Sequence, residues 1–355
     1  MKPQKYEMKV QKFAGILIII FGIVFVLIQT QSILIPIILS ILLWFLIKEI
    51  RNFMNRSSWI NNKIPRWVKT VTASFILVVT LSILTKLLIY NIQDLTKSLP
   101  TYNSNNIATI SKTIQDWIGI DIEKQLSGYS DKINFQSILT QIINSITEIF
   151  SSAFMIILYL LFILMEESTF SSKLKAIYPD KEKFNNIKDI LLNMDKSISN
   201  YISIKTLLSI TTAVLSYVIL LIIGIDAALF WAFLIFILNF IPSIGSLIAT
   251  LFPAIMALLQ YGDTSFTPFY LVLIFIGLVQ LVIGNFLEPK LMGKSLNISS
   301  LIVIISLTVW GSIWGVIGMI LSVPITVIMI LIFSHFESTK NIAILLSKDG
   351  EINTK

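Results

Sequence analysis

The chain has 355 residues, 55% hydrophobic and 13% charged, with a formal charge of +7; an average soluble domain carries about twice that share of charge. It has no cysteine and one histidine, His335, which excludes disulfides, thiolate metal sites, cysteine nucleophiles and His-rich metal clusters. The excess of Lys and Arg reads as membrane topology rather than nucleic-acid binding, because cytoplasmic loops gather these residues.

From the N-terminus, a segment carrying Lys2, Lys5, Lys9 and Lys12 runs into "AGILIIIFGIVFVLI". A signal peptide has the same order of basic and apolar regions. Here the apolar run is long, no small-residue cleavage site follows, and a second run begins at Ile33, so the segment reads as a retained first span. Spans are predicted at about 13–30, 33–48, 69–90, 149–165, 206–224 and 267–287. Two further apolar stretches, 226–260 and 298–336, are too long for one crossing. As a single helix the first of them, 35 residues, would reach roughly 52 Å, against a hydrocarbon core of about 30 Å. Tilt absorbs only part of that excess.

Both long stretches carry breakers near the middle: "NFIPSIGSLIATLFP" (Asn239 to Pro253) and "WGSIWGVIGMILSVP" (Trp310 to Pro324). Each reads as a re-entrant hairpin or a pair of short helices. Each also runs from Gly to Pro over eight or nine residues, Gly245 to Pro253 and Gly315 to Pro324. Oppositely oriented broken segments of this kind are built into inverted-repeat transporters. The expected fold is all-α, a polytopic integral membrane protein of about eight membrane segments that include two broken or re-entrant helical hairpins.

Loop charges set the orientation. Between the second and third spans lie Lys48, Arg51, Arg56, Lys63, Arg66 and Lys69, opposed by Glu49 alone. This loop and both termini are expected in the cytoplasm. Segment 91–148, with four Lys against six acidic residues, falls outside, and 166–205, with seven Lys, falls inside. The first hairpin then enters from outside and the second from inside. Five regions follow: spans 1–90, an extracytoplasmic insert 91–148, a fourth span with a cytoplasmic amphipathic helix 149–205, a transport core 206–336 and a tail 337–355. Apolar stripes at Ile107, Ile110, Ile114, Trp117 and Ile118, at Ile138, Ile142 and Ile146, and at Phe184, Ile187, Leu191, Met194, Ile198 and Tyr201 follow helical spacing. Packing on the protein or the membrane interface accounts for them; an oligomer contact or a gating arm is the sharper alternative.

Enzyme chemistry finds no support. "MGKS", Met292 to Ser295, ends like a phosphate-binding loop, but Glu288 stands where the motif needs its first Gly, and no strand precedes it. H-E-x-x-H and G-x-S-x-G are absent. No motif calls for a cofactor or metal.

What remains is polarity at membrane depth. Irregular backbone survives there only when buried in protein or lining a wet cavity. Asn239, Pro242, Ser243 and Gly245 therefore mark a break that exposes helix ends and carbonyls to a solute, or that simply connects two short helices. Gln280, Asn285 and Glu288 share one helix face before Pro289 and suggest a hydrophilic pathway. Asp226 and Glu288 are the carboxylates placed for ion coupling. Gly311, Gly315, Gly318 and Pro324 suggest a smooth surface on which the second hairpin packs against the first.

"NFIPSIGSLIATLFPAIMALL", "EPKLMGKSL" and "GSIWGVIGMILSVPITVI", in that order and spacing, resemble the autoinducer-2 exporter family of bacterial membrane transporters. The topology resembles that family over nearly the whole chain, and the motifs fall in its last third. This chain differs from the family pattern at Ser243 and Ser246, where an aromatic residue and a second proline are usual. The resemblance implies a multi-pass protein of the bacterial cytoplasmic membrane that assembles as a homo-oligomer. It also implies export of a small polar solute or signal driven by a gradient. Two alternatives are a monovalent cation/proton antiporter using Glu288 or Asp226, and a non-transporting scaffold using its amphipathic segments.

Overall fold

The computed structural model describes residues 3–118, 152–262, 264–292 and 298–350. Every regular element among them is helical. Helices α1 (Pro3–Gln29) and α2 (Gln31–Asn55) adjoin at Thr30, and a short α3 (Ser58–Lys63) leads into α4 (Arg66–Ile118). Then come α5 (Ala153–Glu166), α6 (Phe170–Ile177) and α7 (Lys181–Ile223). The C-terminal part contains α8 (Ala228–Leu238), α9 (Ile244–Tyr261), α10 (Thr267–Gln280) and a π-helical segment (Leu281–Leu287) that continues into α11 (Glu288–Met292). Helices α12 (Ser300–His335) and α13 (Lys340–Leu346) complete the fold. Among the described residues, six helices are long and apolar enough to cross a membrane. Taken with the bent α5–α6 pair and the α8–α9 hairpin, the chain is a polytopic all-α membrane protein.

Two sequence boundaries change. The predicted span 206–224 and the amphipathic stripe at 184–202 belong to one 43-residue helix, α7. No Gly or Pro interrupts this stretch, so nothing stops the helix where apolar character begins. It starts at Asp180, whose side chain accepts from the Glu182 N–H at 2.9 Å, and stops at Gly224, whose φ of +85° closes the last turn. At about 65 Å it outruns the bilayer core, so its N-terminal part projects beyond it. The stripe faces inward, with Ile198 and Tyr201 buried. The third span likewise continues without a break into the expected insert, as the 53-residue α4. The stripe at Ile107 to Ile118 falls on α4; its side chains, and all of Ile138, Ile142 and Ile146, lie outside the described residues. Among the described residues the fourth span is α5, 14 residues, which bends by 63° into α6.

The two ends of α7 serve as landmarks for depth. Near Gly224 the first hairpin is fastened at both feet: the Gln260 and Tyr261 side chains donate to the Gly224 carbonyl at 3.0 and 2.9 Å, and the Asp226 N–H donates to Gln260 Oε1. Helices α8 and α9 run from there to the break at Asn239–Ser243. Helix α8 has 11 residues, so that tip lies about 16 Å in, near mid-depth. Phe230, Trp231, Leu234, Ile235, Met256 and Ile276 are fully buried in the main core around this hairpin.

The second long stretch is also a hairpin. Trp314 (φ −126°, ψ 17°) and Gly315 (φ 60°, ψ −140°) leave helical geometry inside α12. Thr326 Oγ1 donates to Ser306 Oγ at 2.7 Å across 20 residues, a separation of about 30 Å in a straight helix. Its feet lie at the opposite end, where Ile298, Val327 and Ile330 cluster with Phe45, Ile198 and Tyr201, and the Ser299 N–H donates to the Leu346 carbonyl. The two hairpins therefore enter from opposite faces.

The foot end of the second hairpin is also the basic face. Glu167 accepts from Trp44 Nε1, from both terminal nitrogens of Arg51 and from Arg66, joining α2, α4 and the α5–α6 bend. Burial works to raise the Glu167 pKa, but the hydrogen bonds from Arg51 and Trp44 and the positive charge of Arg51 and Arg66 outweigh it and lower it. Lys48 pairs with Asp195 of α7, and buried Lys69 donates to Asn55 and Asn61. Ser40 ties α2 to α5 deeper down, donating to the Pro36 and Ile156 carbonyls.

Candidate functional site

The tip of the first hairpin is built by an unusual turn. Pro242 cannot donate, and its carbonyl accepts from the Ile244 N–H at 2.6 Å. Ser243 between them has φ 58° and ψ −54°, the strained γ-turn that few L-residues adopt. Helix α9 restarts at once, because Gly245 packs directly on the end of α8. A Cβ there would stand 1.8 Å from the Leu238 carbonyl oxygen, so only glycine permits the approach.

This tip forms one wall of a cavity of about 630 Å³. Asn239, Pro242 and Ser243 line it from the tip, and Ser246 and Thr250 from the first turns of α9. Gln280, Asn285 and Glu288 line it from α10, the π segment and α11. The third wall is α7, through Lys205, Ser209 and Thr212. Six of the seven residues expected on a pathway thus meet in one cavity; Gly245 lies buried behind the tip, where it closes the hairpin. The wider π turn carries Asn285 onto the same wall as Gln280, and such irregular turns recur at functional sites.

Polar chemistry in the cavity is incompletely satisfied. Gln280 Nε2 and Ser209 Oγ are buried and have no hydrogen-bond partner among the described residues. Buried donors of this kind are costly unless something bonds them. The Thr212, Ser246 and Thr250 hydroxyls are spent on the carbonyls of Leu208, Ser243 and Ser246, so they offer lone pairs to the cavity. Toward the basic face Glu288 accepts from Lys205, whose side chain is only 7% exposed. Toward Gly224 the main apolar core closes the cavity. Its rim at Ser243, Leu247 and Asn285 is exposed.

Lys205, Ser209 and Thr212 were not singled out from sequence. A signal was present: Lys205, Ser209, Thr212 and Ser216 recur at helical spacing along an apolar span, and all four are buried. Lys205 stood just outside the expected boundary of that span and read as a loop charge.

The remaining residues go elsewhere. Asp226 sits at the Gly224 end, about 28 Å along α7 from Lys205, and lines no part of the cavity. Gly311 and Gly318 close the second hairpin on itself: a Cβ at Gly318 would meet the Trp310 carbonyl oxygen at 1.8 Å, and one at Gly311 would meet Met319 Cγ at 2.9 Å. That hairpin packs along α7 and α13 and touches α1, while Trp314 Nε1 donates to the Leu27 carbonyl at 3.0 Å. Gly311 and Gly318 let the hairpin close on itself, while Leu307, Val316, Met319 and Ile320 of the same hairpin pack on the core around the first. Pro324 is buried in its second arm. Among the described residues no group of three His, Asp or Glu side chains converges as a metal site.

Known proteins resemble this chain throughout its length. The AI-2 transport protein TqsA of Escherichia coli K12 is 32% identical over 345 residues, 96% of each chain. A putative transport protein of Borreliella burgdorferi is 33% identical over 89% of each chain. The putative transport protein YhhT of Escherichia coli K12 is 39% identical over 151 residues, 42% of each chain. Residues 15–338 match the AI-2E family transporter profile, and with it this polytopic chain belongs to the AI-2E family of transporters.

Proposed function

We propose that the cavity between the first hairpin, α7 and the π segment is the solute site of an exporter in the bacterial cytoplasmic membrane. The cargo is a small polar solute of the autoinducer-2 kind. The observation that carries this reading is the pair of buried, unpartnered donors at Gln280 and Ser209, which a polar solute or the water it displaces would satisfy. The name of the E. coli relative supports a signal of that class as cargo.

In this reading the basic face is cytoplasmic, by the excess of Lys and Arg in its loops. The cavity then loads from the cytoplasm and the apolar core seals it from outside. Release outward requires the strained tip at Asn239–Ser243 to part from α7 and α10. Glu288 is held by Lys205, so a cation reading would require the ammonium to be displaced first; this favours a solute over a bare cation as cargo.

The test is efflux of autoinducer-2 from preloaded proteoliposomes, with Gln280→Leu beside the wild type. The expected result is efflux by the wild type and about a tenfold loss in the variant, the value of one hydrogen bond in a dry site. Equal efflux from protein-free vesicles would refute it. Single cysteines in this cysteine-free chain, Ser57→Cys on the basic face and Thr264→Cys on the other, check orientation by one-sided labelling.

A further inference from the structure

Of the described residues that line the cavity, only Lys205 and Glu288 carry charge, and they are paired with each other. The ammonium is nearly buried while the carboxylate keeps some exposure. The eight other polar side chains lining the cavity are neutral hydroxyls and carboxamides. We propose that the Lys205–Glu288 pair is the charge filter of this site, which makes the cavity electrically neutral and selects uncharged, hydroxyl-rich solutes over both anions and cations. The inference rests on the transport reading above and adds the charge class of the cargo.

The donor and acceptor inventory points the same way. Three hydroxyls present acceptors only, because their protons are committed to backbone carbonyls. Donors are the buried Gln280 amide and Ser209 hydroxyl, with the Asn239 and Asn285 amides and the Ser243 hydroxyl nearer the rim. A carboxylate, which only accepts, would have to compete with Glu288 for Lys205. An ammonium, which only donates, would find acceptors but also the fixed positive charge of Lys205. A hydroxyl both donates and accepts, so each face of a polyol meets a matching group. An unpaired charge in this apolar surrounding would be strongly penalised, so the pair neutralises its own charges and leaves none for a ligand.

Breaking the pair one side at a time should therefore change the preferred charge. The experiment uses purified full-length protein in liposomes and three probes with the same six-carbon chain: D-glucitol, D-gluconate and D-glucamine. Wild type is expected to move glucitol about tenfold faster than either charged analogue. Glu288→Gln uncovers the ammonium and should raise gluconate relative to glucitol about tenfold; Lys205→Met uncovers the carboxylate and should raise glucamine similarly. The charge-reversed variant Lys205→Glu/Glu288→Lys rebuilds a neutral pair and should return the order to glucitol first. It covers the case in which a single variant fails to fold, which gel filtration reports. A wild type that moves gluconate or glucamine as fast as glucitol overturns the filter, as does an unchanged order in folded single variants. Absence of all three fluxes, with autoinducer-2 efflux intact, overturns the polyol class alone. Absence of autoinducer-2 efflux as well removes the transport reading too.

Discussion

The two hairpins solve the same folding problem and use it differently. Each reverses the chain inside an apolar stretch, and each closes on a glycine set against the carbonyl end of its first arm, Gly245 on Leu238 and Gly318 on Trp310, both leaving 1.8 Å for a Cβ. Their tips diverge. The second hairpin makes its turn with glycine at φ 60° and caps it with Trp310 and Trp314, whose rings lie 5.2 Å apart. The first makes its turn with Ser243 at φ 58° and surrounds it with Asn239, Ser246 and Thr250. A turn that only has to hold uses the residue that fits without strain. A turn at a cavity keeps a strained side chain where polar groups are needed.

The strongest way to break the comparison is at the shared device. Gly245→Ala and Gly318→Ala should each cost about 3 kcal/mol or more, because backbone rather than a flexible side chain receives the new methyl. Thermal unfolding in detergent should show comparable losses for both. Gly311→Ala, whose neighbour is the pliable end of Met319, should cost clearly less.

The tips should then respond with opposite signs. Gly315→Ala places a Cβ at φ 60° and is expected to cost about 2 kcal/mol. Ser243→Gly releases the γ-turn strain, partly offset by the greater unfolded-state entropy of glycine, for a net gain of about 1 kcal/mol. The melting temperatures should move apart, while solute flux should drop only in the Ser243 variant.

A smaller contrast separates holding from handling solute. Thr326→Val removes the cross-arm bond to Ser306 and should cost about 1 kcal/mol with no change in solute preference. Gln280→Leu removes an unpartnered buried amide, so stability should hold or rise slightly while flux falls. Loss of flux in Thr326→Val would undo the division of labour between the hairpins.

The smallest effect lies outside both. Glu167 has a folded pKa below the ordinary glutamate value of about 4.3. Its contribution is therefore fully present above that value and is lost as pH falls through the folded pKa. Melting temperature followed downward from neutral pH should show an acid-side decline that is shallower in Glu167→Gln.

How much of this was legible in advance depends on the range of the physics involved. Asn239, Pro242, Ser243, Gln280, Asn285 and Glu288 stood out because polar side chains and helix breakers are rare in apolar runs and need a local reason. Lys205 did not, because a lysine at a span boundary is ordinary until its partner, 83 residues away, is known. Gly311 and Gly318 were recognised as packing glycines, but what they pack against is set by the turn at Trp314 and Gly315. Length and composition by themselves determined that this is a membrane protein of about eight segments, and helix-length arithmetic determined that two stretches are too long for one crossing, leaving a hairpin or a pair of short helices for each. Both follow from the thickness of the bilayer and the rise of a helix. Only the tertiary structure decided which polar groups share a cavity and which charges cancel there. Those depend on how α7, the first hairpin and the π segment come together, which no local pattern encodes.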